Sequence, residues 1–185
     1  DSDYYKSERK RHPFASATLW VTDSSGDLAE VIQQGTAIGE CCNLVKNLVN
    51  RTAEDLTPIT FAADALELAK ANGLECEVLD EDDLIREKMG AMLAVARGSK
   101  LPPKLVKLTW NGSDSGPQLA LVGKGVTFDS GGYSIKPSAS MISMKADMGG
   151  AATTLGAIVA AAKLKLPVRL TAYLGLVENM ISGDA

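Results

Sequence analysis

Between Leu119 and Lys163 the chain passes from a short apolar run, through a glycine-rich stretch, into a helix of small residues. This succession limits the fold more than any other feature. Leu119-Ala120-Leu121-Val122 has the unbroken apolarity of a strand covered on both faces. Gly123 to Gly150 reads as a loop, and Ala151 to Lys163 as the helix. Pro167 then breaks into a last strand, Val168 to Leu176. Strand, crossover helix and strand in this order make a unit whose strands lie parallel.

The rest of the chain fits the same class. Ala15 to Val21 is rich in β-formers near its end and reads as a strand. Ser24-Ser25-Gly26-Asp27 interrupts it and offers helix N-caps. From Leu28 apolar residues recur at helical spacing through Val31, Ile32, Ile38, Cys41, Cys42, Val45, Leu48 and Val49,. A helix of that length is suited to linking two domains, and a boundary is placed near Asn50. Thr57 and Pro58 supply an N-cap and a first helical residue for a second helix. Its core stripe is Ile59, Ala62, Ala63, Leu66 and Ala69, and Gly73 ends it as a left-handed cap. Leu74 to Leu79 reads as a strand and Glu81 to Lys88 as a short charged helix. Ala91 to Ala96 reads as a buried strand or a packed turn. Pro102-Pro103 leads into a strand at Leu105 to Trp110, and Asn111 to Gly116 is a turn. The expected fold is α/β, a three-layer α/β/α domain on a mixed, largely parallel sheet.

Bulk properties exclude several classes. With 45% apolar and 23% charged residues in 185, the chain is long and apolar enough to bury a core,. A net charge of −4 argues against a nucleic-acid binder, and the one basic run, Lys6 to Arg11, reads as a solvated tail,. No run of about 18 apolar residues suggests a membrane span. Cys41, Cys42 and Cys76 form no zinc spacing with the single histidine, His12,. They read as reduced, buried cysteines.

The chemistry-bearing segment is Gly123 to Lys136 together with Met144 to Ala152. Ligands in open α/β sheets bind at the carboxyl ends of strands, and Lys124 and Asp129 follow the strongest strand. Carboxylates suit hard or borderline divalent ions, and two of them can hold an ion pair about 4 Å apart around a shared water. A lysine beside two dications can lose its proton and ligate as the amine. One that stays charged can stabilise an oxyanion. The residues also admit plainer readings. Asp129-Ser130-Gly131-Gly132 is an ordinary turn sequence. Lys136 suits a solvated loop, Asp147 suits a helix cap, and Met144 and Met148 suit a core. Gly123-Lys124-Gly125 lacks the order of a phosphate loop.

The string LVGKGVTFDSGGYSIKP from Leu121, followed by MKADMGGAA from Met144, resembles the signature of the leucine aminopeptidase (cytosol aminopeptidase) family. The likeness extends to Leu48-Val49-Asn50-Arg51 with Leu56-Thr57-Pro58. It takes in Met89 to Ser99 with Pro102-Pro103, and Glu178-Asn179-Met180. It spans roughly Val31 to Ala185. The resemblance implies a metal-dependent aminopeptidase that removes leucine or another apolar N-terminal residue from peptides by a hydroxide activated between two ions, zinc or manganese. It implies Lys124, Asp129 and Asp147 as metal ligands, with Asp129 bridging and Asp147 also helping to hold the substrate amine. Lys136 would stabilise the tetrahedral intermediate, and Met144 would line the side-chain pocket. It further implies a cytoplasmic homohexamer. Residues 1–24 would be a remnant of an N-terminal α/β domain, 25–50 a linking helix, and 51–185 the first part of a phosphorylase/hydrolase-like catalytic domain.

One departure stands out. The family's Asn-Thr-Asp-Ala-Glu-Gly-Arg motif, which brings a second aspartate, a bridging glutamate and an arginine thought to hold bicarbonate, does not occur. The chain therefore reads as a fragment with half a site, inactive or nearly so alone. A competing reading is a short, non-catalytic paralogue with a binding or structural role in a hexamer. A weaker one is a generic nucleotide-binding domain.

Overall fold

The computed structural model describes residues 14–22 and 26–183. The basic run at Lys6, His12 and the cap candidates Ser24 and Ser25 lie outside them. Helix α1 (Leu28–Asn50) opens on Asp27, whose carboxylate accepts from the amides of Ala29 and Glu30 at 3.0 and 3.1 Å. Helix α2 (Pro58–Asn72) starts with Thr57 and Thr60 capping each other reciprocally, and ends on Gly73 at φ +68°,. Strand β1 (Glu75–Leu79), helices α3 (Glu81–Arg86) and α4 (Gly90–Ala96), and strands β2 (Lys104–Asn111) and β3 (Gln118–Asp129) follow. A four-residue turn of helix, α5 (Ser138–Met141), a 3-10 turn (Met144–Ala146), helix α6 (Gly149–Lys163) and strand β4 (Arg169–Asn179) complete the chain.

The sheet runs β1-β2-β4-β3. β3 and β4 are parallel, whereas β1 with β2 and β2 with β4 are antiparallel. The sheet is mixed, as expected, but its parallel part is confined to the β3-α6-β4 crossover. α6 and α2 cover one face. Leu170, Ala172, Leu174 and Leu176 of β4 point into that core with Leu155, Ile158 and Phe61. α4 covers part of the other face, where Met92 and Ala96 meet Val126 and Val177. Helices on both faces make the three layers.

α6 is buried on nearly every side because it is sandwiched between the sheet and α1,. Its small residues make that possible. A Cβ on Gly156 would lie 2.6 Å from a methyl of Val45 in α1. A Cβ on Gly123 of β3 would lie 2.6 Å from the Cα of Ala151 and 2.7 Å from the carbonyl oxygen of Gly150. Helix and strand thus touch backbone to backbone at the start of α6. The fully buried Leu155 and Ile158 then each contribute about 1.5–3 kcal/mol through burial,.

Several expectations need correction, among them the core stripe of α2, where Ile59 and Ala63 are exposed and Phe61, Ala62, Ala65 and Ala69 are buried. Residues 15–21 form no strand, because no described strand pairs with them, and Trp20 is exposed. The Ala91–Ala96 segment is helix α4; seven residues are too few to show a helical period. Leu119–Val122 is not covered on both faces. It begins the edge strand β3, where Val122 is 80% exposed. β3 then continues through the supposed loop as far as Asp129, so Lys124 lies within the strand and Asp129 is its last residue. Of the cysteines, all free, Cys41 is buried and Cys42, one step round the helix, is exposed. Among the described residues no helix is long and apolar enough to cross a membrane.

Two glycines test the close approach. Gly123→Ala drives a methyl into backbone and is expected to destabilise by about 1–3 kcal/mol. Gly35→Ala, in exposed helix with nothing within 4 Å of the new carbon, should stabilise by about 0.5–1 kcal/mol. Urea-denaturation midpoints moving in opposite directions would bear this out; a neutral Gly123→Ala would show that α6 can recede.

Candidate metal centre

The site lies where β3 ends and α6 begins. Up to Val126, β3 pairs residue for residue with β4; between Val126 and Asp129 the register slips by one. Such a bulge bends a strand and redirects the side chain that follows. Here it sets Asp129 opposite Asn179, the last residue of β4. The side-chain amide of Asn179 donates to Oδ1 of Asp129 at 2.7 Å, and the Gly131 amide donates to the same oxygen at 3.0 Å. The turn reading of Asp129 to Gly132 is therefore correct as far as it goes. Gly131 and Gly132 sit at φ +91° and +60°, where a side chain would be strained. Ser130 donates from both its amide and its hydroxyl to the carbonyl of Asn179, at 3.0 and 2.7 Å. The turn is tied to the sheet, and its carboxylate faces Lys136, whose Nζ lies 2.9 Å from Oδ2. Lys136 is not a freely solvated lysine.

The second pair joins β3 to the entry of α6. Lys124 Nζ lies 2.8 Å from Oδ2 of Asp147. Asp147 does not cap α6, whose first turn has no side-chain cap. Its Oδ2 is buried, and no donor is aligned with it as a hydrogen bond. The Lys124 ammonium is its charge partner. Lys124 itself is open, with 62% of its side chain exposed against 19% for Asp147. No hydrogen bond or ion pair among the described residues links the two pairs. Met144 heads the 3-10 turn that packs on β3; it is half-buried and outside both apolar clusters, whereas Met148 is fully buried in the core. Lys145, between Met144 and Asp147, donates to the carbonyl of Asn50 at 3.0 Å, so the turn is fastened to the C-terminus of α1,.

Two forces compete at Asp129. Burial raises its pKa and is the largest single influence. Hydrogen bonds from Lys136, Asn179 and the Gly131 amide, with the charge of Lys136, outweigh it and hold the carboxyl below its ordinary value,. Asp129 is thus held as a carboxylate against Lys136. Among the described residues no three His, Cys, Asp or Glu side chains cluster as a metal site. Lys124 and Asp147 are in contact and Asp129 pairs with Lys136; the buried Oδ2 of Asp147, which has no aligned hydrogen bond, is the feature that suits a cation.

Glu178, beside Asn179, accepts a hydrogen bond from the hydroxyl of Ser99. Two distant segments of the signature thereby meet. Residues 43–185 match the catalytic domain of the cytosol aminopeptidase family. This chain belongs to that family. It is 47% identical over 169 residues to a "Probable cytosol aminopeptidase" of Leifsonia xyli subsp. xyli, covering 91% of this chain and 34% of the relative. Among solved structures it resembles the bottromycin maturation enzyme BotP in complex with Mn, at TM-score 0.80 and 43% identity over 87% of this chain and 35% of that one. It also resembles the cytosol aminopeptidase of Coxiella burnetii, at TM-score 0.76 and 37% identity over 80% and 32% of the two chains. The chain spans about a third of the length of the curated relatives it matches.

Asn179 is the site residue to which no role was given by sequence reasoning. Its place at the end of the strand parallel to β3 was the available signal.

A depressed carboxyl stabilises the fold fully above its unfolded value of about 3.9, and that stabilisation is lost as pH falls through the lower folded value. Lys136→Met removes the hydrogen bond and charge that depress Asp129, so its folded value rises. The variant should be less stable than wild type near neutral pH, and the gap should close on acidification below about pH 4. Urea midpoints measured from pH 7 to pH 3 check this; curves that stay parallel would mean that the pair contributes nothing.

Proposed function

We propose that this chain carries one half of the active centre of a metal-dependent aminopeptidase. The supporting observation is the pairing of two carboxylates with two lysines at the β3–α6 junction, with Oδ2 of Asp147 buried beside Lys124 but given no hydrogen bond. In this reading Lys124, Asp129 and Asp147 hold divalent ions, manganese or zinc. Two such ions supply Lewis acidity and an activated water when bound.

The chain's own residues set the geometry. Asp129, fixed by the turn, presents a formed carboxylate. Asp147 offers its unsatisfied oxygen to a cation or to the free amine of a peptide. Lys136 keeps its charge close to Asp129 and is placed to stabilise the oxyanion of a cleaved amide. Met144 would line the pocket for the N-terminal side chain, leucine or another apolar residue. With only these donors, the 185 residues alone would hold metal weakly and turn over poorly.

Other parts of the reading rest on family likeness. They are a cytoplasmic homohexamer, bicarbonate in the intact enzyme, and α1 as a link between a small N-terminal domain and the catalytic domain. α1 packs on α6 through its second half, while Val31, Ile32 and Ile38 in its first half are exposed. That division suits a linking helix.

The test is release of leucine from leucyl amide by the full-length gene product in Mn2+ or Zn2+, alongside Lys124→Ala and Asp129→Ala. Metal-dependent turnover, lost by at least about two orders of magnitude in both variants, is expected. A folded wild-type protein without turnover under either metal would sink the enzyme reading and favour a binding role.

A further inference from the structure

We propose that Asn179 is a positioning residue for the cation site, an inference that rests on the metal reading above. By occupying Oδ1 of Asp129 it leaves Oδ2 as the oxygen that meets a divalent ion.

The geometry around Oδ1 carries this. That atom receives two donors, the Asn179 side-chain amide at 2.7 Å and the Gly131 amide at 3.0 Å. Oδ2 receives only the Lys136 ammonium, at 2.9 Å. The carboxylate is therefore divided into an anchored oxygen and one directed at cationic groups. A carboxylate can only accept, so the amide of Asn179 must present its nitrogen. The oxygen end of the same amide lies above Gly132, where a Cβ would approach it to 2.9 Å. A side chain at 132 would press on the anchor. The main chain of Asn179 is held separately, through the two bonds its carbonyl accepts from Ser130. Changing its side chain thus spares the link between turn and sheet. Asn179 adds no charge, so it orients the ligand without competing for the ion. Removing such a partner behind a ligating side chain typically weakens metal binding about tenfold to a hundredfold.

The test compares wild type, Asn179→Ala and Ser130→Ala in the full-length gene product. Mn2+ affinity is measured by calorimetry, and coordination by the visible absorption of the Co2+-substituted protein. Circular dichroism reports folding. Ser130→Ala removes the hydroxyl that donates to Asn179 and accepts from Gly132 at 3.2 Å, but it leaves the Asp129 carboxylate untouched. The inference expects Asn179→Ala to bind Mn2+ about tenfold to a hundredfold more weakly and to shift the Co2+ bands, while Ser130→Ala keeps both. Asn179→Leu, which retains bulk and lacks the donor, should repeat the loss if the alanine variant does not fold. Wild-type affinity in folded Asn179 variants, or an equal loss in Ser130→Ala, would overturn the positioning role and leave the metal reading standing. Wild type that binds neither Mn2+ nor Co2+ would overturn the metal reading itself, and this inference with it.

Discussion

The backbone contact between β3 and the first turn of α6 is the constraint on which the rest of the structure depends. A Cβ on Gly123 would run into the backbone of Gly150 and Ala151, and one on Gly125 would lie 2.5 Å from Leu176 and 3.0 Å from the Ala151 methyl. A strand normally gains from side chains that pack across it, and glycine weakens it. Here the lost packing is offset by burial along α6, whose apolar residues reach the sheet only because the helix lies so close. The same approach brings Asp147, two residues before α6, within reach of Lys124. Core packing and the placing of the candidate ligands are one arrangement.

Each carboxylate of the candidate site is compensated by its own lysine. Each partly buried carboxylate has a lysine within 3 Å, and that of Asp129 has two further donors, the Gly131 amide and the Asn179 side chain. The pairs differ in finish. Asp129 is saturated by donors and depressed in pKa. Asp147 is compensated in charge only. The buried Oδ2 of Asp147 has the Lys124 ammonium at 2.8 Å and no other partner among the described residues, so it has lone-pair capacity left for a further cationic group,.

Much of this was legible in the sequence, and the exceptions have a common cause. The helical period of Val31 to Val49, the Thr57-Pro58 start and the Gly73 stop are local signals, and the elements follow them. β3 was read as a third of its length because Gly-Lys-Gly-Val-Thr-Phe-Asp carries neither alternation nor steady apolarity. Its strand character comes from pairing with β4 and from the helix that needs its bare backbone, both of which are remote in sequence. α4 is short and uncapped at Met89, so its helical form comes from packing on Gly175 and Val177. Residues 15–21 show the converse, a locally strand-like stretch that finds no partner among the described strands. Lys124, Asp129, Lys136 and Asp147 were singled out as candidates by residue type, glycine context and the family resemblance. Which lysine pairs with which carboxylate could not be read, since the one-residue bulge that turns Asp129 toward Asn179 and Lys136 leaves no mark on composition.

The bulge also accounts for why distant segments of the signature must act together. Without the slip, Asp129 would stand opposite residue 180 rather than Asn179, and the amide would miss Oδ1. Asn179 in turn is placed by β4, whose neighbour Glu178 is held through Ser99 at the end of the α4 segment. The 3-10 turn before Asp147 is fastened by Lys145 to the end of α1. Each carboxylate is therefore located in part by a segment remote in sequence, Asn179 for Asp129 and Asn50 for the turn before Asp147. A substitution at α1, α4 or β4 can reach the site by moving one of these anchors, even where the glycine-rich strand and the ligands themselves are unchanged.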